Sequence, residues 1–122
     1  LIASAGGLVR LPRVLPKNIA MQMALTGEPI SAEEAHRFGM VNNLVEAGEA
    51  FEGAVSLAEK INENAPLAVR STRRSLLESL TLSDHEGMKF AIEETAALTA
   101  TEDYKEGPLA FIEKRLPVWK GK

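Results

Sequence analysis

Histidine is the first side chain to consider for proton transfer or metal binding, and the sequence contains two histidines and no cysteine. Without cysteine there is no disulfide, no thiolate metal site and no cysteine nucleophile. His36 has no second histidine beside it. Ser83, Asp84 and His85 are the residue types of a catalytic triad, but consecutive residues at a helix start point in different directions and cannot form a relay. We therefore predict a packing or solvent-facing role for His36, a helix cap and exposed turn for residues 83–85, and no metal site.

Adjacent carboxylates are the second candidate for acid–base chemistry. General acid–base catalysis by two carboxylates requires a shielded pocket in which their pKa values are pushed apart. The pairs in this chain fall in the first turns or on the outer faces of predicted helices, where a carboxylate complements the helix N-terminus or faces water. We therefore expect solvated charges at all of them. The pairs are Glu33 and Glu34, Glu93 and Glu94, and Glu102 and Asp103.

A basic stripe is the candidate for binding a phosphate or an acidic partner. Arg70 shares a helical face with Arg73 or Arg74, and a solvated surface is the simpler interpretation. Lysine and arginine total 14 against 17 acidic residues, which gives a formal net charge of −3. The chain thus lacks a general positive field for a nucleic acid backbone. We expect a surface role for the stripe and no nucleic acid partner.

The tail from Phe111 to Lys120 combines aromatic and cationic side chains. Rings and cations together can bind a ligand that carries both an aromatic group and a phosphate, through stacking and charge. The alternative is an amphipathic terminal helix that docks through Phe111 and Trp119. The residues alone favour this second interpretation.

The length and hydropathy of the chain indicate the class of protein that contains these residues. The chain has 122 residues, of which 45% are hydrophobic, enough for one folded domain or a part of one. It lacks a run of about 18 apolar residues, so we expect no membrane-spanning helix and no membrane partner. The absence of cysteine and of a basic leader pattern favours a cytoplasmic protein. Because the sequence opens on Leu1 rather than methionine, we expect a piece of a longer protein.

Helix-capping patterns dominate the local sequence. Ser31 with Glu34, and Ser83 with Glu86, fit the capping box that opens a helix. The prediction is a mainly helical chain with one short strand near residues 40–45. A small-residue helix start is predicted at residues 4–7, and helices over residues 17–26, 32–38, 49–64, 66–80, 83–100 and 101–115, the last with a kink or restart at residues 107–108.

Taken in order, four sequence phrases resemble the C-terminal half of the enoyl-CoA hydratase/isomerase family, also called the crotonase family. Each phrase is modestly specific, and the ordered set is strong because it covers nearly the whole chain. The phrases are AGGLVRLPR at residues 5–13, AMQMALTGEPISAEEAHRFGMVN at 20–42, LAEKINENAPLAVRSTRRSL at 57–76 and TEDYKEGPLAFIEKRLPVWKGK at 101–122.

The resemblance implies a fold: the C-terminal part of the crotonase, or ClpP-like, α/β spiral with its helical trimerisation domain. Residues 1–64 would end the core, and residues 65–122 would form the helical domain. The implied assembly is a homotrimer, or a hexamer built as a dimer of trimers. The apolar faces of the helices would then be buried against partner subunits.

The resemblance also implies where chemistry occurs. Family members polarise the thioester carbonyl of an acyl-CoA with two backbone N–H groups, and the hydratases add water with two glutamates. We expect all these groups upstream of Leu1, so no catalytic residue is predicted here and the chain alone is expected to be inactive. Ser4, Ala5 and Gly6 match a loop beside the active site, with serine where the family commonly has glycine.

Phe111 and Lys114 match the family positions that contact the adenine ring and the 3′-phosphate of coenzyme A, often in a neighbouring subunit. Stacking and a point charge suit those two groups. Another family position, which often carries an aromatic residue near the adenine, aligns with Thr95 here. The sequence therefore retains part of the coenzyme A contact.

We accordingly expect a fragment of an enoyl-CoA hydratase that adds water to a 2-enoyl-CoA. Its ligand would be acyl-CoA, with no cofactor apart from the coenzyme A of the substrate. An isomerase, hydrolase, dehalogenase or decarboxylase of the same family is an alternative. An alternative from a different class is a non-catalytic helical module for oligomerisation or coenzyme A binding.

Overall fold

The computed structural model describes residues 2–122, and every regular element in that range is an α-helix. The prediction of a mainly helical chain is confirmed. Leu1, at which the predicted first domain begins, lies outside the described residues. None of the helices described is both long enough and apolar enough to cross a bilayer. The elements are α1 (Gly7–Val14), α2 (Lys17–Thr26), α3 (Ala32–Arg37), α4 (Ala50–Asn62), α5 (Pro66–Ser79), α6 (Asp84–Leu98) and α7 (Glu102–Glu113).

The predicted strand near residues 40–45 is wrong. Residues 40–42 form bends and residues 43–46 are irregular. A strand needs a neighbouring strand to exchange backbone hydrogen bonds, and the described part of the chain supplies none. The apolar side chains of Met40 and Val41 are exposed. Apolar composition without a pairing partner therefore leaves this segment irregular.

Both predicted capping boxes are confirmed. Ser31 Oγ accepts the N–H of Glu34 at 3.1 Å, and Glu34 Oε2 accepts the N–H of Ser31 at 3.1 Å. Ser83 and Glu86 make the same reciprocal pair at 3.4 and 3.0 Å. The hydrogen bond from the Ser83 hydroxyl also lowers the pKa of Glu86. Because the boxes satisfy backbone donors that a helix start leaves unpaired, α3 and α6 begin where the sequence predicts.

Glycine and proline have different consequences at two helices. Gly27 takes the left-handed conformation, with φ at 74°, and α2 ends before it as predicted. Pro108 was expected to kink or restart the last helix, but α7 runs through it as one element. Its ring nitrogen lacks only the one hydrogen bond that would reach the carbonyl of Tyr104. The restart is therefore not observed.

The first compact unit, Leu1–Gly53, contains the packed pair α1 and α2. Leu15, which follows α1, and Ala20, within α2, are buried in it. The irregular segment after α3 is held by close packing, because a Cβ on Gly53 would lie only 3.0 Å from Cγ1 of Val45. A larger residue at position 53 would displace that segment.

The second compact unit, Ala54–Lys122, contains a helical hairpin of α5 and α6. Buried Ser71 on α5 donates its hydroxyl to Glu94 Oε2 on α6 at 2.7 Å, and Arg74 Nη2 donates to the same oxygen at 2.7 Å. Gly87, early in α6, lies against Ser79 at the end of α5. The helices therefore run antiparallel. The predicted boundary at residues 64 and 65 falls inside this unit, and the assignment of the two predicted domains stays a prediction.

The last residues of the chain return along α7 and are held by a buried carboxylate. Asp103 Oδ1 accepts the N–H of Lys120 at 2.7 Å, and its Oδ2 accepts the N–H of Gly121 at 2.9 Å. Asp103 is only 4% exposed. The prediction of a solvated pair at Glu102 and Asp103 is therefore wrong for Asp103. An irregular segment has no helical partners for its N–H groups, and this side chain supplies the acceptors.

Replacing Asp103 by alanine should release this segment. We expect Asp103→Ala to lower the free energy of unfolding by roughly 2–3 kcal/mol, because two backbone donors lose a charged acceptor. Asp84→Ala is the matched control, since Asp84 is an exposed carboxylate in the first turn of α6. Its cost should stay below about 1 kcal/mol. Urea unfolding of both variants measures the difference, and equal losses would contradict the role of Asp103.

Candidate functional site

The end of α7 adopts an unusual backbone conformation. Lys114 has φ 54° and ψ 39°, and it is the one non-glycine residue with a positive φ in the described part of the chain. Its N–H donates to the carbonyl of Phe111 at 3.2 Å, and the N–H of Arg115 donates to that of Ala110 at 3.1 Å. Glycine is usual at such a helix end because it has no Cβ to clash. A lysine here costs about 1 kcal/mol in backbone energy.

The charge of Lys114 has no acidic partner among residues 2–122, whereas the other cations that follow α7 in the sequence do. Lys120 Nζ lies 2.9 Å from Glu102 Oε2, and Lys122 Nζ lies 3.6 Å from Glu102 Oε1. Arg115 contacts two carboxylates. The end of α7 therefore presents one ammonium group that no described carboxylate neutralises.

Phe111 lies one helical turn before Lys114, and its side chain is 85% exposed. Trp119 differs, because its indole Nε1 donates to the carbonyl of Glu63 at 2.7 Å and its ring lies against Gly107. Within the described residues Trp119 is docked and Phe111 is not, so docking of Phe111 stays a prediction. An exposed ring and an unpaired ammonium group stand three residues apart at one helix end.

Arg115 is bound on both sides of its guanidinium. Its Nη1 and Nη2 donate to the two carboxylate oxygens of Glu106 at 2.5 and 2.9 Å, and its Nε donates to Glu113 Oε2 at 2.5 Å. Glu106 Oε1 also accepts the N–H of Val118 at 2.8 Å. Asp103 and Glu106 together bind the returning segment, and we call these two residues the tail clasp. Sequence reasoning did not identify Glu106, because a pair nine residues apart across a turn matches no local helix rule.

These contacts change the acidity of the groups involved. The hydrogen bonds from Arg115, and then the N–H of Val118, lower the pKa of Glu106 to about 2. The same contact with Glu106, and the contact with Glu113, raise the pKa of Arg115. Lys120 lowers the pKa of Glu102 through a hydrogen bond and charge. The Glu106 carboxylate therefore stays ionised well into the acid range.

The predicted loop at Ser4, Ala5 and Gly6 forms a turn that leads into α1. Gly6 caps the helix with φ at 100°, and its carbonyl accepts the N–H of Arg10 at 2.9 Å. Ser4 and Ala5 are exposed. The loop belongs to the first compact unit, whereas Phe111 and Lys114 belong to the second. Ser4, Ala5 and Gly6 therefore lie together in one turn, and Phe111 and Lys114 lie together at one helix end.

A mostly apolar groove of about 510 Å³ lies beside that turn, along α1 and α2. The side chains of Leu8, Leu11 and Met21 are among those that face it. Lys17 and Glu28 are its charged residues. The groove therefore suits an apolar group better than an ion. Its remaining lining residues are Ala3, Gly7, Pro12, Ala20, Met23, Ala24, Gly27 and Pro29.

The other residues considered from sequence do not form a reaction centre. His36 and His85 are exposed, as predicted for solvent-facing residues. Of the basic stripe, Arg74 pairs with Glu94 at 2.7 Å, so this contact joins two helices and the expected purely solvated role of Glu94 is wrong. Among residues 2–122 no three histidine or acidic side chains are grouped to hold a metal ion.

Comparison with known proteins decides the family. Residues 1–122, the whole chain, match the family model described as enoyl-CoA hydratase/isomerase. The chain belongs to this family. The predicted resemblance is therefore confirmed, and so is the predicted crotonase-type fold, because solved enoyl-CoA hydratases share the structure of this chain.

Several solved enoyl-CoA hydratases resemble this member of the enoyl-CoA hydratase/isomerase family. One from Mycobacterium tuberculosis H37Rv is 44% identical with a TM-score of 0.95, and EchA1 from Mycobacterium marinum is 47% identical with a TM-score of 0.95. Each match covers 100% of this chain and 48% of the other. A carnitinyl-CoA dehydratase of Salmonella typhi is 37% identical over 126 residues, which is 100% of this chain and 48% of that protein. The chain spans about half the length of these relatives.

The lowered pKa of Glu106 predicts how this family member responds to acid. A carboxylate whose folded-state pKa is depressed stabilises the fold above its unfolded pKa of about 4.3, and this contribution disappears as the pH falls through the folded value. The folded value is about 2. We expect the free energy of unfolding to fall between about pH 5 and pH 2, with a shallower decline in Glu106→Gln.

Thermal unfolding measured from pH 6 to pH 2 tests this expectation. Glu59→Gln is the control, because Glu59 is exposed and has no ion pair within the described residues. It should retain the full decline seen in the unmodified chain. The same pH dependence in the unmodified chain and in Glu106→Gln would contradict the assignment.

Proposed function

We propose that the protein is an enoyl-CoA hydratase that adds water to a 2-enoyl-CoA, and that this chain binds the nucleotide end of coenzyme A through Phe111 and Lys114. The observation that carries this proposal is the state of Lys114: a left-handed helix end with an ammonium group that no described carboxylate neutralises. Costly backbone conformations are concentrated at functional positions. A purely structural cap would be served better by glycine.

The chemistry of the two side chains matches the two features of the nucleotide. The exposed ring of Phe111 offers a flat apolar surface on which adenine can stack. The ammonium group of Lys114 is a compact charge with three donors, which suits a phosphate. Because the residues are three positions apart at one helix end, a single ligand can contact both.

Exposed apolar side chains support an assembly as part of the proposal. Leu76, Leu80, Met88 and Ile92 on and near the α5–α6 hairpin are each more than 60% exposed. Single proteins rarely leave large apolar patches in contact with water. We propose that these side chains are buried in a homotrimer, which forms hexamers as dimers of trimers. A cytoplasmic location remains part of the proposal because the chain has no cysteine.

The proposed reaction needs two glutamates and an oxyanion hole, which we assign to the part of the whole protein upstream of this chain. Asp103 is the one buried carboxylate among residues 2–122, and backbone N–H groups occupy both its oxygens. Glu94 and Glu106 are bound to arginines. We propose that Ser4, Ala5 and Gly6 border the active site and that the chain alone is inactive. Loss of enoyl-CoA absorbance with the isolated chain would contradict this.

A second candidate is removal of water from a carnitinyl-CoA thioester, favoured by the 37% identity to the Salmonella typhi carnitinyl-CoA dehydratase. Both reactions interconvert an enoyl and a hydroxyacyl thioester of coenzyme A, so they would share the nucleotide contacts. The kcat/KM of the whole protein for the two substrates distinguishes them, and a higher value for simple 2-enoyl-CoA supports the first candidate.

The role of Lys114 can be tested in the whole protein that contains this chain. We expect Lys114→Ala to raise the KM for 2-enoyl-CoA about tenfold with little change in kcat, because the lost hydrogen bond is remote from the reacting carbonyl. Lys114→Gly should raise KM equally while stabilising the fold by up to about 1 kcal/mol, because glycine relieves the left-handed backbone.

Lys105→Ala is the matched control for loss of a lysine charge on α7. Lys105 is exposed and lies nine residues from Lys114 along the chain, so its KM should not change. An unchanged KM in Lys114→Ala would contradict the proposed contact. A fall in kcat without a rise in KM would place Lys114 near the reacting atoms and contradict it as well.

A further inference from the structure

Lys114 occupies a left-handed position that favours glycine, so contacts that hold this turn stabilise an unfavourable backbone conformation. The backbone of the turn makes hydrogen bonds from the N–H of Lys114 to the carbonyls of Ala110 and Phe111, and from the N–H of Arg115 to that of Ala110. Unfavourable backbone conformations persist only where the surrounding structure enforces them. Side chains that flank the turn are placed to add to the restraint that these backbone hydrogen bonds supply.

Arg115 supplies a restraint immediately after the turn. Its guanidinium binds both oxygens of Glu106, and such a bidentate pair fixes orientation as well as distance. Glu106 lies on α7 two turns before the helix end, so the pair ties the first residue after Lys114 back to the helix. The N–H of Val118, bound to the same carboxylate, keeps the following chain on that course.

Arg115 also binds Glu113, the acidic residue that directly precedes Lys114. Its Nε binds Glu113 Oε2, so residues 113 and 115 are bridged across the turn. Because Glu113 is engaged there, it does not neutralise the neighbouring ammonium group. Without Arg115, the carboxylate of Glu113 would lose this partner and would be free to compete with a phosphate for the neighbouring Lys114.

We infer that Arg115 is a positioning residue: with Glu106 it holds the left-handed turn at Lys114 and keeps the ammonium group free and directed toward the phosphate of the ligand. The inference rests on the proposed function of Lys114. Arg115 itself needs no contact with the ligand. The planar fork of arginine matches the carboxylate, so lysine would not replace it fully.

The test is the KM for 2-enoyl-CoA of the whole protein. We expect Arg115→Gln to raise KM about tenfold with kcat changed less than about twofold, as for a loss of ground-state binding. In a Lys114→Ala background the same change should add less than about twofold, because residues that act as a unit are not additive. Glu106→Gln, which keeps the arginine, is the second variant and should raise KM in the same direction.

Glu102→Gln is the control for general loosening of the last residues. It breaks ion pairs with Lys120 and Lys122 at the start of α7, far along the helix from Lys114. It should lower the free energy of unfolding and leave KM unchanged. A rise in KM equal to that of Arg115→Gln would mean that any loosening of the segment suffices, and would overturn the inference.

The remaining outcomes separate this inference from the proposed function. If Lys114→Ala leaves KM unchanged, the proposed function and the inference both fail. If Lys114→Ala raises KM while Arg115→Gln and Glu106→Gln do not, only the inference fails. If the effects of Arg115→Gln and Lys114→Ala multiply, Arg115 contacts the ligand independently and is not a positioning residue.

Discussion

The irregular segment after α7 must find acceptors for its backbone N–H groups, and the carboxylates of α7 provide them. Amides that are shielded from water and have no partner destabilise a chain, and neither a helix nor a sheet is present there to pair with these amides. The hydrogen bonds from Lys120 and Gly121 to Asp103 are part-buried. Asp103 and Glu106, the tail clasp, accept the N–H groups of Val118, Lys120 and Gly121. The course of the chain beyond α7 depends on these hydrogen bonds, which is why an acidic first turn serves here as more than a complement to the helix dipole.

The same helix connects the tail clasp to the proposed ligand contact. Asp103 lies in the first turn of α7, Glu106 in the second, and Lys114 just past its end. Glu106 takes part in both functions, because one of its oxygens accepts a backbone N–H and both bind Arg115. Through Glu106, the stability of the last residues is therefore coupled to the position of the Lys114 ammonium group. Under the proposed function, this helix end would provide a charge at a fixed position for the nucleotide of the substrate.

Rules that use only neighbouring residues predicted most of the helices. They did not predict contacts between residues far apart in the sequence. The capping boxes at Ser31 and Ser83 need only four consecutive residues, so the starts of α3 and α6 were predictable. The strand near residues 40–45 failed because pairing requires a second strand, which the described residues lack. Asp103 was misassigned since its partners lie about seventeen residues away. The spacing of apolar residues predicted neither the left-handed backbone of Lys114 nor the exposure of Phe111. The resemblance to the family identified those two residues, and the geometry around Lys114 added Arg115.

Hydrogen exchange of backbone amides tests the tail clasp most directly. The amides of Val118, Lys120 and Gly121 donate to the tail clasp, whereas those of Leu116 and Lys122 have no acceptor among the described residues. We expect the first three to exchange at least about a hundredfold more slowly than the other two, relative to their intrinsic rates. Asp103→Ala, which removes both acceptors, should abolish most of the protection at Lys120 and Gly121. Equal exchange at all five amides would show that the segment is not held, and would contradict the account of how Lys114 is positioned.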